Sequence, residues 1–130
     1  MKKREILRGG RSFRNILTSG ECFESRLVRA FCVLSRKHDV ALKVGVAVSS
    51  NVGRAVRRNR LKRLMREAIS GEKISLVTAL EKVQLHASLV FLFVGMKDIG
   101  TERVKLELLQ QDVKVLYGGV LKRVAAGQTL

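Results

Sequence analysis

The stretch that decides the fold covers residues 43–69 and reads KVGVAVSSNVGRAVRRNRLKRLMREAI. Its first part is a short valine-rich run, which is typical of a buried strand. Behind Gly53, apolar residues recur at the i, i+3, i+4, i+7 spacing of one helix face, at Leu61, Leu64, Met65 and Ala68. The sequence therefore predicts a strand over residues 40–49 and a helix over residues 54–69, ended by the Ser-Gly pair at 70–71.

The predicted helix carries its charge away from this apolar stripe. Residues 53–67 contain seven arginines and lysines but a single acid, Glu67. A solvated helix face usually mixes both signs, because like charges four residues apart repel by about a few tenths of a kcal/mol. Guanidinium forks match phosphate oxygens, and an amide can bond a sugar hydroxyl or a base edge. We therefore predict a polyanion partner, with candidate contacts at Arg54, Arg57, Arg58, Asn59, Arg60, Lys62, Arg63 and Arg66.

The same segment resembles a known family. Residues 55–67, with Asn59 held between two arginines and Gly53 ahead of it, are similar to the "RNR" signature of the bacterial ribonuclease P protein subunit. Upstream, residues 43–49 resemble the strand that leads into this family's basic helix. Phe13 and Gly20 resemble its first helix and the turn behind it. The resemblance covers residues 8–125 and is strongest over residues 43–69.

The resemblance implies an RNA-dependent activity. A catalytic RNA partner would hydrolyse a phosphodiester bond with bound Mg²⁺ and remove the 5′ leader of precursor tRNA, while the protein supports RNA folding and substrate binding. Mg²⁺ is expected in the RNA-containing enzyme rather than at a protein-only site. The basic helix would bind the catalytic RNA and would lie in a crossover of left-handed sense, an exception to the usual rule.

By the same resemblance, a cleft between the first helix and the sheet would receive the single-stranded leader. The leader-binding candidates are Phe13, Arg14, Leu17 and Phe31. Aromatic rings stack on bases without demanding a sequence, although a Phe at helical spacing with apolar neighbours is often a plain core residue. Many family members have an aromatic where Leu17 stands and a lysine pair where Ser50-Asn51 stands. We therefore expect weaker leader binding here, or help from Arg14 or Arg29.

Length and composition bound the remaining possibilities. The 130 residues, 46% of them hydrophobic, fit one RNA-binding domain over residues 1–130, with flexible ends at 1–8 and 126–130. The net charge of +15 and the pI near 11.0 point to nucleic acid, an anionic membrane or an acidic protein. The longest apolar stretch, residues 87–96, is about half a membrane span, and no signal-peptide core follows the N-terminus. We expect a cytoplasmic protein without an obligate protein partner.

The chain itself has no recognisable catalytic or metal motif. It lacks a nucleophile elbow, a Walker loop and a paired carboxylate constellation, and its aspartates at 39, 98 and 112 are scattered singly. His38 and His86 are far apart, and Cys22 and Cys32 are expected to be reduced. Two rivals stay open: a structural RNA-binding protein of ribosomal type, and a duplex DNA-binding module, which lacks an evident helix-turn-helix partner.

The flanking patterns complete an α+β prediction. A helix is expected over residues 11–18, a strand over 27–34 that forms a hairpin with strand 40–49 across a polar turn at 35–39, and a helical segment over 74–85. A third strand follows at 89–94 and an amphipathic helix at 106–124, capped at Thr101 and weakened at Gly118-Gly119. We predict a single-domain α/β sandwich: a central mixed sheet, the basic helix in a crossover connection, and the C-terminal helix packed on the sheet.

Overall fold

In the computed structural model the described residues are 6–7, 11–36, 40–49, 52–95, 100 and 103–127. Several sequence predictions lie outside them: the Ser50-Asn51 pair, His38, the aspartates at 39 and 98, and the cap at Thr101. At the ends, Ile6 forms a parallel bridge with Val44, and the last helix reaches Gly127. The described parts of both ends are therefore attached to the fold.

The architecture is α+β, as predicted. In chain order the elements are α1 (Arg11–Ser19), β1 (Glu21–Glu24), β2 (Val28–Arg36), β3 (Leu42–Val48), α2 (Ala55–Glu72), α3 (Ile74–Val83), β4 (Leu85–Phe93) and α4 (Leu106–Gly127). The strands form one mixed sheet in the order β1-β2-β4-β3, in which β4 runs antiparallel to β2 and parallel to β3. Because β3 and β4 are parallel neighbours joined through α2 and α3, the basic helix lies in a crossover connection.

The predicted hairpin between residues 27–34 and 40–49 is wrong. β4 lies between β2 and β3, and β2 forms its hairpin with the short strand β1 instead. β4 also begins at Leu85, four residues before the predicted start. Its residues Leu89, Val90 and Phe91 are fully buried, so side chains on both faces of this strand leave water. The strand that is apolar on both faces belongs in the centre of the sheet.

The main core lies between one face of the sheet and the helices α2, α3 and α4. The C-terminal helix packs on the sheet, as predicted, and the expected weakening at Gly118-Gly119 does not interrupt it. α4 is continuous there, and a Cβ atom on Gly119 would lie 2.9 Å from Cδ2 of Phe23. The missing side chain lets the β1 ring approach the helix. This close packing offsets the cost of about 1 kcal/mol that an interior glycine imposes.

Two further features fix the helices. α2 continues through Gly71 and ends at Glu72, so the predicted stop is two to three residues early, and Lys73 alone separates it from α3. Buried Asp112 of α4 accepts a hydrogen bond of 2.7 Å from the backbone N–H of Leu27. The carbonyl of Leu27 in turn accepts from the N–H groups of Val94 and Gly95. Asp112 thereby ties α4 to the start of β2 and the end of β4, with every partner satisfied.

Candidate nucleic-acid interface

The basic helix is seated on the core by its apolar stripe. Leu61, Met65, Ala68 and Ile69 are buried, and Leu64 is half-buried against the same core. The helix is therefore held by packing from Leu61 to Ile69. The predicted RNA contacts occupy its remaining surface: Arg54, Arg57, Asn59, Arg63 and Arg66 are exposed, and Arg58, Arg60 and Lys62 are half-buried. We call this surface the basic face of α2.

Carboxylates do little to neutralise the basic face. The ion pairs found among the described residues join Arg29 to Glu24, Lys114 to Glu72, and Arg123 to Glu21. Within that part of the chain, Arg57, Lys62, Arg63 and Arg66 have no carboxylate within ion-pair distance. The N-terminus of α2 adds to the positive potential, because its first turn contains no acid and its N-cap, Arg54, makes no side-chain capping bond. Such a surface attracts phosphate groups.

Two arginines of the signature are engaged with the protein's own backbone. Nη1 of Arg58 donates to the carbonyl oxygen of Gly53 at 2.9 Å, and Nη2 of Arg60 donates to the carbonyl oxygen of Val104 at 3.0 Å. Arg60 thus links α2 to the segment that leads into α4. Asn59, between them, is exposed. Helical periodicity did not reveal this division, since the partner of Arg60 lies 44 residues away in the sequence. The RNA contacts of all eight residues stay a prediction.

A second surface lies on the sheet face opposite the main core. Val28, Ala30 and Cys32 of β2 belong to the core cluster, so the alternating residues Arg29 and Phe31 point the other way. We call this the open face. Strand register extends it across the sheet in two rows: Phe31, Val90 and Gly45 form one row, and Arg29, Leu92 and Ala47 form the next.

Helix α1 lies against the open face. Ile16 and Val90 are buried at 6% and 0% exposure, yet neither belongs to the main core cluster, and α1 contacts β2 and β4. Phe13 sits directly on Gly45, where a Cβ atom would lie 2.6 Å from Cε2 of the ring. An isolated glycine inside a strand pattern is a signal of such close approach, which the sequence reasoning missed.

The four leader-binding candidates therefore share one neighbourhood without being equivalent. Phe13 packs on Gly45, which is in the same row of the open face as Phe31, and both phenylalanines are half-buried. Leu17 is half-buried and Arg14 is exposed on α1. The structure thus brings Phe13 and Phe31 together around Val90. Their contact with a leader stays a prediction.

His86 of β4 is buried and has two polar partners. The ring of His86 lies within hydrogen-bond distance of the Val40 carbonyl through Nδ1, at 2.6 Å, and of the Ser88 hydroxyl through Nε2, at 2.9 Å. A carbonyl only accepts, so Nδ1 carries a proton.

Both cysteines are free thiols, and burial raises the pKa of Cys32 to about 12. No group of three or more His, Cys, Asp or Glu side chains among the described residues is placed to hold a metal ion.

The family model described as Ribonuclease P matches residues 1–116. The chain belongs to the ribonuclease P protein family. It is 33% identical over 127 residues to the ribonuclease P protein component of Chlorobium phaeobacteroides, with 92% of this chain and 87% of that one covered. The component from Bacillus velezensis is 37% identical over 73 residues, which cover 56% of this chain and 62% of that one.

Solved ribonuclease P proteins share the fold. The protein from Thermotoga maritima superposes with a TM-score of 0.63 at 24% identity, covering 92% of this chain and 97% of that one. A Staphylococcus aureus ribonuclease P protein also gives 0.63, at 17% identity, with coverage of 86% and 92%. At these identities the likeness shows the fold alone, and it confirms the predicted α+β architecture. Among the described residues of this family member, no helix is long and apolar enough to cross a membrane.

Proposed function

We propose that the chain is the protein subunit of ribonuclease P, which binds the catalytic RNA and the 5′ leader of precursor tRNA and thereby promotes 5′ maturation of tRNA. The observation that carries this proposal is the basic face of α2. It presents exposed cations on a helix seated on the core, and Arg57, Arg63 and Arg66 have no carboxylate of the described residues within ion-pair distance. Family membership supports ribonuclease P RNA over duplex DNA as the polyanion in this proposal.

The two surfaces suit two different RNA partners. The basic face of α2 offers charge over several helical turns, which suits the phosphates of a folded RNA. The open face offers two half-buried phenylalanines, Phe31 and the Phe13 that packs on Gly45. Stacking of a base on such a ring contributes about 1–3 kcal/mol and tolerates any sequence, which suits a single-stranded leader. We assign the catalytic RNA to the first surface and the leader to the second.

Bond cleavage belongs to the RNA in this proposal. The described residues do not fit a protein-only Mg²⁺ site, because a hard divalent cation prefers clustered oxygen ligands and no such cluster is present among them. Mg²⁺ bound by RNA phosphates would supply the hydrolytic chemistry. The cations of α2 neutralise neighbouring phosphates, so the protein should lower the Mg²⁺ concentration that the RNA needs to fold and to bind substrate.

The test is cleavage of a precursor tRNA by the organism's own ribonuclease P RNA at low Mg²⁺, with and without the protein. We expect the mature 5′ end to appear only when the protein is present. RNA alone at high Mg²⁺ is the control that shows an active RNA. If active RNA gains nothing from the protein at low Mg²⁺, the chain is better described as a structural RNA-binding protein.

A further inference from the structure

The β1–β2 hairpin places an acid and a base side by side on the open face. Glu24 is the register partner of Arg29, and Cys22 is the partner of Phe31. Phe23, between them, contacts α4 on the core side, so Cys22 and Glu24 point to the open face. Nε of Arg29 lies 3.7 Å from Oε1 of Glu24. The open face therefore contains an ion pair two residues along β2 from the aromatic ring of Phe31.

Arg29 lies on the open face between Phe31 and the end of the sheet at which β3 finishes. It is two residues from Phe31 on the same side of β2, about 7 Å along the strand. Its row contains Ala47, close to the end of β3, and the chain continues from there into α2. A nucleic acid strand that stacks a base on Phe31 and continues toward this end of the sheet would have Arg29 within reach.

The ion pair between Arg29 and Glu24 is weak and easily broken. The side chains of Arg29 and Glu24 are 48% and 68% exposed, and a single contact of 3.7 Å is longer than a charge-assisted hydrogen bond. Exposed pairs of this kind contribute little stability. A phosphate group accepts two parallel hydrogen bonds from a guanidinium fork, which is a stronger interaction than the present one. A phosphate can therefore replace Glu24 as the partner of Arg29.

We propose that Arg29 binds a phosphate of the 5′ leader next to the base stacked on Phe31, and that Glu24 competes with this phosphate for the guanidinium. This inference rests on the proposed function, because it assumes that the leader lies on the open face. It predicts opposite effects: removing the acid Glu24 strengthens leader binding, whereas removing the base Arg29 weakens it.

A second ion pair on the same hairpin provides matched controls. Glu21 of β1 pairs with Arg123 of α4 at 3.2 Å, with side chains that are 49% and 40% exposed. Glu21 is the register partner of the core residue Cys32, so this pair lies on the α4 side of the sheet. Glu21→Gln and Arg123→Ala change the net charge as much as Glu24→Gln and Arg29→Ala do. They leave the open face as it is.

The experiment measures the leader gain, defined as the ratio of the holoenzyme's affinities for precursor tRNA with its leader and for mature tRNA. We expect Arg29→Ala to lower this gain about tenfold, the worth of a hydrogen bond between charged groups. Glu24→Gln should raise it about twofold to threefold, since an exposed competing pair is weak. Glu21→Gln and Arg123→Ala should leave it at the wild-type value. In an Arg29→Ala background, Glu24→Gln should have no effect, because the acid acts only through Arg29.

Each opposing result has a distinct meaning. If the wild-type holoenzyme shows no leader gain, the leader-binding part of the proposed function fails and the inference fails with it. If the wild type shows a gain that Arg29→Ala and Arg123→Ala lower equally, or that Glu24→Gln does not raise, the inference alone is overturned. A misfolded variant cannot imitate the increase expected for Glu24→Gln.

Discussion

The basic face of α2 and the open face of the sheet are built in opposite ways. The first comes from one continuous helix, and its charges act over distances near the Debye length. The second is assembled from α1 and four strands, with residues as far apart in sequence as Phe13 and Leu92. Charge attraction tolerates small displacements, but stacking and close packing do not. The open face should therefore be the more sensitive of the two to a change in shape.

The largest effect is expected on the basic face. Arg63 and Arg66 are exposed, so replacing both by alanine should leave folding intact and weaken catalytic RNA binding at least tenfold. If the wild-type helix neutralises about five phosphates, log affinity against log salt should have a slope of about −3.5 to −4.5. The double variant should reduce the size of this slope by about 1.4 to 1.8. The measurement is a salt titration of protein–RNA affinity.

The control for that comparison is Lys82→Ala with Lys122→Ala. Both lysines are exposed, on α3 and α4, and their removal changes the net charge by the same amount. Equal losses in the two double variants would mean that overall charge, rather than the basic face of α2, holds the RNA.

A second prediction concerns the open face, whose shape is changed while the charge of the protein stays the same. Gly45→Ala places a Cβ atom 2.6 Å from Cε2 of Phe13 and 3.1 Å from Cβ of Leu7, so the Phe13 ring must move. We expect a loss of about 1–3 kcal/mol in unfolding free energy and a leader gain reduced by up to about tenfold. Catalytic RNA affinity should change little. Thermal unfolding and the leader-gain assay measure these effects.

Gly118→Ala is the matched glycine replacement. Nothing lies within 4 Å of the added Cβ atom, and the site is inside a helix, so stability should rise by up to about 1 kcal/mol. If the leader gain falls equally in Gly45→Ala and Gly118→Ala, the position of the Phe13 ring does not matter for leader binding.

A third prediction compares two arginines of α2, one bonded to the protein's own backbone and one exposed. Arg60→Ala removes the hydrogen bond to the Val104 carbonyl and should lower the unfolding free energy by about 1 kcal/mol. Arg63→Ala, at an exposed position, should change it by less than about 0.5 kcal/mol while weakening RNA binding. Denaturant unfolding of the two free variants makes the comparison. Equal stabilities would show that Arg60 does not hold the segment before α4.

The smallest effect concerns the two thiols. The thiolate is the reactive form, and both pKa values are raised: that of Cys22 by desolvation and then by Glu24, with Arg29 opposing, and that of Cys32 to about 12, chiefly by burial. At pH 8 we expect slow alkylation of exposed Cys22 and almost none of Cys32, with rates that rise with pH. Mass spectrometry distinguishes the sites.

Precursor tRNA should protect Cys22 from alkylation in the holoenzyme, because Cys22 is the register partner of Phe31. Mature tRNA, which lacks the leader, should not protect it.

Local patterns predicted the elements better than their arrangement. The apolar spacing of Leu61, Met65 and Ala68 identified α2 and its buried side correctly, because a helix face is defined within a few turns. The valine-rich run identified β3 but assigned it the wrong neighbour, since alternation shows that a strand exists and not which strand pairs with it. The four-residue strand β1 was missed, and with it the place of Glu24 and Cys22 on the open face.

The family resemblance came from the motif around Asn59, and the α+β class and a helix that presents cations from an apolar support followed from periodicity and charge, because all of these are local properties of the chain. Tertiary structure alone decided that β4 separates β2 from β3, that Phe13 sits on Gly45, and that Arg60 reaches Val104. These contacts join distant residues, and they form because burial of the strand that is apolar on both faces sets the order of the sheet.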